Sequence, residues 1–363
     1  MKLLLLNWRD IRSPRAGGAE TLTYEVARRL VQRGHEVTWF TSRPTGLEAE
    51  EWVNGIRILR RGSELTTRLY APRLGRKDDY DLVVEEINTL PYFSPAWSRA
   101  PTLLYINQLA REVWWYEAAK PVAALGYISE PLYLQAYRRV PAVTISESTL
   151  RDLKRLGLNG RIDVIPMAVN VEPVDDLRPK RLEGHLIAVG RLAPSKRYDH
   201  AIESLAILRR TYNTATLMVV GDGSERGALE RHASQAGVAD AVRFAGVVDE
   251  QEKVRLLTDA DVLVGCSARE GWGLTVTEAA LRGTVSVVYD IPGFRDSVVH
   301  ERTGILTAST PAALALGIAS VLGSPGSYER LRTAALATAS ELSWEKTADA
   351  FEVAAEAASR RAD

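Results

Sequence analysis

Four short segments hold side chains and glycines whose types and spacing could do chemistry. In Gly190-Arg191-Leu192-Ala193-Pro194-Ser195-Lys196 a planar guanidinium and a compact ammonium stand five residues apart, with no carboxylate between them. A fork of donors beside a point charge suits a diphosphate. In Glu270-Gly271-Trp272-Gly273-Leu274-Thr275-Val276-Thr277-Glu278 two carboxylates stand eight residues apart, one in a glycine-rich turn and one inside the helix that follows. Each can accept hydrogen bonds from sugar hydroxyls, and free N–H groups at a helix start favour anions. Gly221-Asp222-Gly223-Ser224-Glu225-Arg226 and Phe244-Ala245-Gly246-Val247 put glycines at strand ends, where a missing Cβ leaves a flat slot for a planar base. Gly17-Gly18-Ala19-Glu20 opens another helix, a further setting for phosphate. Taken singly, each segment is also an ordinary turn. The first strand is not followed by the G-x-G-x-x-G of dinucleotide-binding folds.

Strands and helices must hold these turns in place. Lys2–Leu6 reads as a buried strand, and Leu22, Val26, Leu30 and Val31 form one helical face that stops at Gly34. Val37, Trp39 and Thr41 alternate as a second strand, completing a β–loop–α–β unit. Further strands are expected at Ile56–Leu59, Leu82–Val84, Leu103–Ile106, Val143–Ile145 and Ile162–Ile165, with Ser146 or Ser148 capping a helix to Leu156. The stretch Pro166 to Gly184, with Pro173, Pro179 and mixed charge, breaks the pattern as a linker. A second series follows: strands Leu186–Val189, Leu217–Val220, Val242–Phe244, Val262–Val264 and Val285–Val288, with helices between them. The alanine-rich end, from Pro311 to about Arg360, reads as helical. The expected fold class is α/β, with two parallel-sheet domains around the linker and the site in the cleft between them. The domains are 1–170 and 171–342, and a terminal helix in 343–363 is expected to pack back on the first.

With 363 residues, two domains are the natural division, and 46 basic against 46 acidic side chains argue against nucleic acid as a partner. The single cysteine, Cys266, excludes an internal disulfide and a cysteine-based zinc site. No early apolar run is long enough for a membrane span or a signal core, so a cytoplasmic protein is expected. Residues 1–170 carry a net +5 and 17 of the 26 aromatic side chains. Two readings are open: a differently packed core, or an aromatic, mildly basic face for a sugar, an aromatic acceptor or a lipid surface.

In their order along the chain, the four segments resemble the retaining glycosyltransferases of family 4. The resemblance spans nearly the whole chain, and Glu270 to Glu278 is its most specific part. Ile291-Pro292-Gly293-Phe294-Arg295-Asp296 and Thr303-Gly304-Ile305-Leu306 are also similar to late segments of that family. It implies the GT-B fold of two facing Rossmann-like domains, and transfer of a sugar from a nucleotide-diphosphate sugar to a hydroxyl acceptor. Arg191 and Lys196 would grip the diphosphate as leaving group, and Glu270 the hydroxyls of the donor sugar. Glu278 would hold the ribose. Gly17 and Gly18 would lie against the diphosphate or the acceptor. Gly190 belongs to the diphosphate loop. The backbone of Gly271, Trp272, Gly273 and Leu274 would bind sugar and phosphate. Gly223, Gly246 and Val247 would line the base slot. No metal or other cofactor is implied, because the two cations serve the leaving group and none of the motif segments contains a D-x-D of the sort that holds a divalent ion between diphosphate oxygens. The base is open among uridine, guanosine and adenosine, with a UDP-sugar as the first expectation.

Two places depart from the family pattern. Members often carry a histidine where this chain has Asn107, which can bind a sugar hydroxyl but cannot carry a proton at neutral pH. Ile165-Pro166-Met167-Ala168-Val169-Asn170 replaces a segment that usually resembles Ile-Pro-Asn-Gly-Val-Asp. On the acceptor side, Arg111-Glu112-Val113-Trp114-Trp115-Tyr116-Glu117 offers aromatic faces for a sugar or an aglycone, or forms a core helix of the first domain. The segment Arg68 to Lys77 is either an ordinary basic loop or a weak contact with an anionic inner membrane face. The acceptor class (sugar, lipid-linked or small molecule) and the oligomeric state are open. The competing functions are a catalytically impaired binding or scaffold protein on the same fold, and a nucleotide-sugar epimerase.

Overall fold

The computed structural model describes residues 1–77 and 79–360, with backbone alone at 76 and 77. The chain divides into two compact units, described in turn.

The first unit comprises residues 1–111 and 125–168 and the tail from Ser343. Its strands are β1 (Lys2–Leu6), β2 (Glu36–Thr41), β3 (Glu50–Val53), β4 (Ile56–Arg60), β5 (Leu82–Glu86), β6 (Thr102–Tyr105), β7 (Ala142–Thr144) and β8 (Ile162–Val164). They form one sheet in the order β3-β4-β2-β1-β5-β6-β7-β8. All pairs are parallel except β3 with β4. β1 is central because Leu3 to Leu6 are apolar on both faces and buried, as parallel strands covered on two sides require. The helices are α1 (Gly18–Gln32), α2 (Thr67–Lys77) and α5 (Glu147–Arg155), with α3 (Val113–Glu117) and α4 (Lys120–Leu134) between β6 and β7. Ser146 caps α5 by accepting from the Thr149 N–H at 3.2 Å.

α2 corrects the expectation of a basic loop at Arg68 to Lys77. The segment is helical, and Arg68 turns inward, donating to the carbonyls of Glu64 and of Leu90, the latter at 2.9 Å. That removes one of the cations from the expected membrane face; the side chains at 76 and 77 lie outside the described ones.

The second unit comprises residues 169–342 together with Glu112–Ala124. Its strands β9 (His185–Val189), β10 (Thr216–Val220), β11 (Val242–Gly246), β12 (Val262–Gly265), β13 (Val285–Tyr289) and β14 (Gly304–Thr307) form an all-parallel sheet. The order β11-β10-β9-β12-β13-β14 reverses direction between β9 and β12, which is where such sheets bind ligands, beyond the carboxyl ends of the strands. The helices are α6 (Tyr198–Leu208), α7 (Arg226–Gln235), α8 (Glu250–Asp259), α9 (Leu274–Leu281), α10 (Phe294–Ser297), α11 (Pro311–Leu322), α12 (Pro325–Ser340) and α13 (Trp344–Ser359), the last of which belongs to the first unit.

One expectation changes here. The aromatic segment 112–117 belongs to the second unit rather than to a domain ending at 170. Glu112 pairs with Arg269 at 2.9 Å, and Glu117 accepts from the Ser195 hydroxyl. The alanine-rich end, expected to be helical with a terminal helix in 343–363, is three helices. Pro325 cannot continue α11 but fits the first turn of α12, and Ser343 caps α13 by accepting from Lys346 N–H. α13 packs on α1 through Arg29–Glu345 at 2.7 Å, Arg33–Asp349 at 2.7 Å and His35–Glu352 at 2.7 Å. Its Phe351 lies against Tyr105, ring centroids 5.8 Å apart. Residues 361–363 of the expected terminal helix lie outside the described residues. No helix among the described residues is long and apolar enough to cross a membrane.

Candidate active site

In the second unit the turns after β9, β10, β11, β12 and β13 interlock through glycines. The Gly190 N–H donates to Val220 O at 2.9 Å, and the Gly221 N–H to Gly246 O at 2.8 Å. A Cβ on Gly221 would stand 2.1 Å from Gly190 O, and one on Gly223 would stand 2.3 Å from Leu192 O. Only glycine lets these backbones approach so closely. On the other side of the switch, a Cβ on Gly293, whose φ is +88°, would stand 2.3 Å from Glu270 O. The Ala268 N–H donates to Ser195 O at 2.8 Å, which ties the β9 turn to the β12 turn.

This scaffold brings Lys196 to Glu270. The ammonium lies 2.5 Å from Glu270 Oε1, and the Ser267 hydroxyl donates to the same oxygen at 2.6 Å. Arg191 is exposed and makes no side-chain hydrogen bond or ion pair among the described residues. α9 begins beside them. Gly273 precedes it with φ of +96° and no side chain caps its first turn, so its N–H groups face the space that follows β12. Trp272 does not stack on that space: its indole N–H donates to Thr277 Oγ1 at 2.9 Å. Two cations, a carboxylate and a helix N-terminus thus share one sheet edge. Such an edge can hold a diphosphate and a hydroxylated ring together.

Glu278 sits on α9 and is nearly buried. Burial pushes its carboxyl up, and Lys253 on α8, at 2.9 Å, pulls it back toward the charged form. Lys253 also reaches Glu250 at 2.8 Å. Gly246 has φ of +71°, which glycine adopts without strain, and Val247 beside it is 82% exposed. Among the described residues no group of three or more His, Cys, Asp or Glu is placed to hold a metal ion.

The first unit carries Gly17, Gly18 and Asn107 at the carboxyl edge of its own sheet. The Gly17 N–H is already bonded to Glu20 Oε2 at 2.8 Å, and Glu20 is buried with Arg9 at 3.0 Å. A carboxylate of the protein therefore fills part of the expected phosphate position at the start of α1. Asn107 donates its amide to Glu86 Oε1 at 3.1 Å, while its own Oδ1 is buried without a partner. Glu86 also accepts from Asn7 and Thr23, each at 2.7 Å. Burial first, then repulsion from Glu20, pushes its carboxyl up to about 8.

Sequence reading missed Lys253, Ser267 and Glu86. Lys253 lies in a helix with no glycine near it, although it is one of only eight lysines in the chain. Glu86 ends a strand as one of two adjacent glutamates, and two acids closing an apolar run were a signal that could have been taken.

Comparison with known proteins follows the same division. Residues 16–173 match the family described as Glycosyltransferase Family 4, and residues 177–338 match Glycosyl transferases group 1. A glycogen synthase of Mycobacterium tuberculosis is 36% identical over 175 residues, 48% of this chain and 42% of that protein, so the chain spans less than half of its length. Among solved structures, sucrose-phosphate synthase from Thermosynechococcus elongatus superposes with a TM-score of 0.79 at 20% identity over 97% of each chain. Anabaena HepE in complex with UDP and glucose gives 0.75 at 17% identity, covering 98% of this chain and 100% of that one. At these identities the structural likeness speaks for the fold: two Rossmann-like α/β domains of GT-B type.

Proposed function

Because the chain belongs to the glycosyltransferases of family 4 and group 1, we propose that it moves a sugar from a nucleoside diphosphate sugar to a hydroxyl acceptor. We assign retention at the anomeric carbon and independence from metal to the same proposal. The observation that carries it is the meeting of Lys196 and Glu270 beside the start of α9, at the switch point of the second sheet.

The anomeric carbon–oxygen bond to the diphosphate breaks, and negative charge grows on the departing phosphate. Arg191, Lys196 and the N–H groups of α9 hold that charge, an interaction that strengthens toward the transition state. The acceptor oxygen bonds to the anomeric carbon on the face the phosphate leaves, and its proton passes to a phosphate oxygen. Glu270 accepts from the hydroxyls of the donor sugar and Glu278 from the ribose. Gly190, Gly223, Gly246 and Val247 give the nucleotide a Cβ-poor bed, and Gly271 to Leu274 their backbone. Asn107 orients a sugar hydroxyl through its free Oδ1. Gly17 and Gly18 contribute close backbone approach, since the Gly17 N–H is taken. HepE is solved with UDP and glucose, which supports a UDP-sugar as the first donor to try.

The test is a thermal-shift screen with UDP, GDP, ADP and dTDP, followed by transfer from the matching sugar conjugates with and without a chelator. A ligand at 100 times its Kd stabilises by about 2.7 kcal/mol, a clear shift. One nucleotide is expected to raise Tm, its sugar conjugate to be turned over, and a chelator to change nothing. No shift with any of the four would overturn the reading in favour of a scaffold. Turnover lost to the chelator and restored by magnesium would overturn metal independence.

A further inference from the structure

Glu278 is in an unfavourable place for the work assigned to it. It must accept hydroxyl hydrogen bonds as a carboxylate, yet its side chain is only 12% exposed and α9 around it is apolar, with Ala279, Ala280 and Leu281 all buried. A carboxylate out of water tends to take up a proton unless a cation stands beside it. One cation does: Lys253 Nζ lies 2.9 Å from Glu278 Oε1, its own side chain only 16% exposed, and it reaches from the neighbouring helix α8. A lysine in the first turns of a helix works against the helix dipole, which the i,i+3 pair with the largely exposed Glu250 on α8 only partly offsets.

We propose that Lys253 acts through Glu278 as a positioning residue for the nucleotide, supplying the fixed counter-charge that keeps a carboxylate ready for the ribose in this buried place. This rests on the nucleotide reading given above. Lys253 leaves Glu278 Oε2 free to accept, and its bond to Glu250 at 2.8 Å holds the ammonium in line.

The other charged or titratable groups named on α9 and on the elements packed against it are engaged elsewhere or work against Glu278. Glu250 on α8 pushes the Glu278 carboxyl up. Arg282, one turn further along α9, donates to Thr258 Oγ1 and to Glu172 O, both at 2.9 Å. From α10, Arg295 pairs with Asp290, and Asp296 accepts from the Gly293 N–H. From α12, Arg332 pairs with Glu329 and reaches Arg178 O, and Arg330 donates to Ser327. β13 offers Tyr289, which is bonded to His200. Lys253 is thus the cation through which Glu278 is held charged.

The experiment is calorimetric titration of the full chain and its variants with UDP, GDP, ADP and dTDP from pH 6 to 9, each Kd expressed as a ratio to wild type at the same pH. For Lys253→Met the expected result is at least a tenfold weaker Kd near pH 7, recovering as pH rises and Glu278 ionises without help. Lys253→Arg, which keeps the charge, should stay within about threefold, and serves if the methionine variant does not fold. Glu278→Gln should weaken binding with no recovery at high pH, and adding Lys253→Met to it should cost nothing more. A Kd ratio near one for Lys253→Met, or a loss that does not change with pH, would overturn the inference. So would an equal loss in Lys253→Arg. If wild type binds none of the four nucleotides, the nucleotide reading itself fails, an outcome distinct from intact binding that ignores Lys253.

Discussion

Replacing Glu270 by glutamine should tighten the binding of a nucleoside diphosphate while abolishing most turnover. Lys196 lies 2.5 Å from Glu270 Oε1, with the two side chains 28% and 18% exposed. A diphosphate that takes the ammonium must first draw it from the carboxylate and must then lie beside that negative charge. A partly exposed pair of this kind is worth about 1 kcal/mol, which corresponds to about fivefold in an equilibrium constant. Glu270→Gln removes both the competition for Lys196 and the repulsion, and glutamine still accepts from Ser267. The nucleoside diphosphate alone, which has no sugar to lose contact with, should bind about fivefold more tightly. Turnover of the sugar conjugate should fall by about a hundredfold or more, the usual scale for a fixed polar group that serves the transition state. Calorimetry with the diphosphate at low ionic strength, repeated at about 0.15 M salt, separates the terms, because the gain is electrostatic and should shrink as salt rises. Equal or weaker binding of the diphosphate to Glu270→Gln at low salt would refute the idea that the carboxylate restrains the lysine.

Three further outcomes follow from the same geometry. Arg191→Ala should lower turnover by well over tenfold with Tm nearly unchanged, since the side chain is exposed and unengaged; near-normal turnover would remove it from the mechanism. Gly223→Ala should force the β10 turn away from the β9 turn, whose Leu192 carbonyl would lie only 2.3 Å from the new Cβ, costing about 1–3 kcal/mol in stability and lowering nucleotide affinity; wild-type Tm and affinity would refute the close approach. Glu86, with its carboxyl pushed up to about 8 in the fold, is proton-bound there while the unfolded chain has lost that proton. Its contribution is full at low pH and is lost as pH rises toward 8. Glu86→Gln mimics the protonated form, so its Tm relative to wild type should climb between pH 5 and pH 8.5; a constant difference would contradict the burial argument.

The central strands were readable because their residues are apolar on both faces. β1, β9 and β12 announce themselves as Leu-Leu-Leu-Leu, Leu-Ile-Ala-Val and Val-Leu-Val, and a parallel sheet buried on two sides needs such runs. β3 was not readable. Glu50-Glu51-Trp52-Val53 is an edge strand, antiparallel to β4, with Trp52 65% exposed, so it carries no apolar alternation to find. Within the alanine-rich end, α11 and α12 were not told apart in the sequence because alanine favours helix on every face. Gly323 at the end of α11 and Pro325 in the first turn of α12 mark the break between those two, and Ser343 caps α13. The membership of residues 112–124 was not legible for a different reason. What places residues 112–124 in the second unit is Glu112 on Arg269 and Glu117 on Ser195, contacts separated by more than 75 residues, which no local pattern encodes.

The site divides along the same line. Glycines and charges inside one turn were readable, since a single loop fixes their spacing: Gly190, Arg191 and Lys196, or Glu270 to Leu274. What was not readable is the state in which those groups stand. Lys196 and Glu270 are 74 residues apart in sequence, and nothing in either segment says that they neutralise each other. Glu278 and Lys253 are 25 residues apart on different helices. Asn107, which sequence comparison marks as a substituted position, turns out to be held by Glu86, a buried acid that local reading counts only as the end of a strand. In each case the group with the evident chemistry is set by a partner from another element. Charge in a buried place has to be matched by whatever the fold brings near, and that partner is chosen by three-dimensional packing rather than by motif. A motif in this chain therefore tells which atoms touch the ligand, and the contacts between elements tell in what charge state and orientation they meet it.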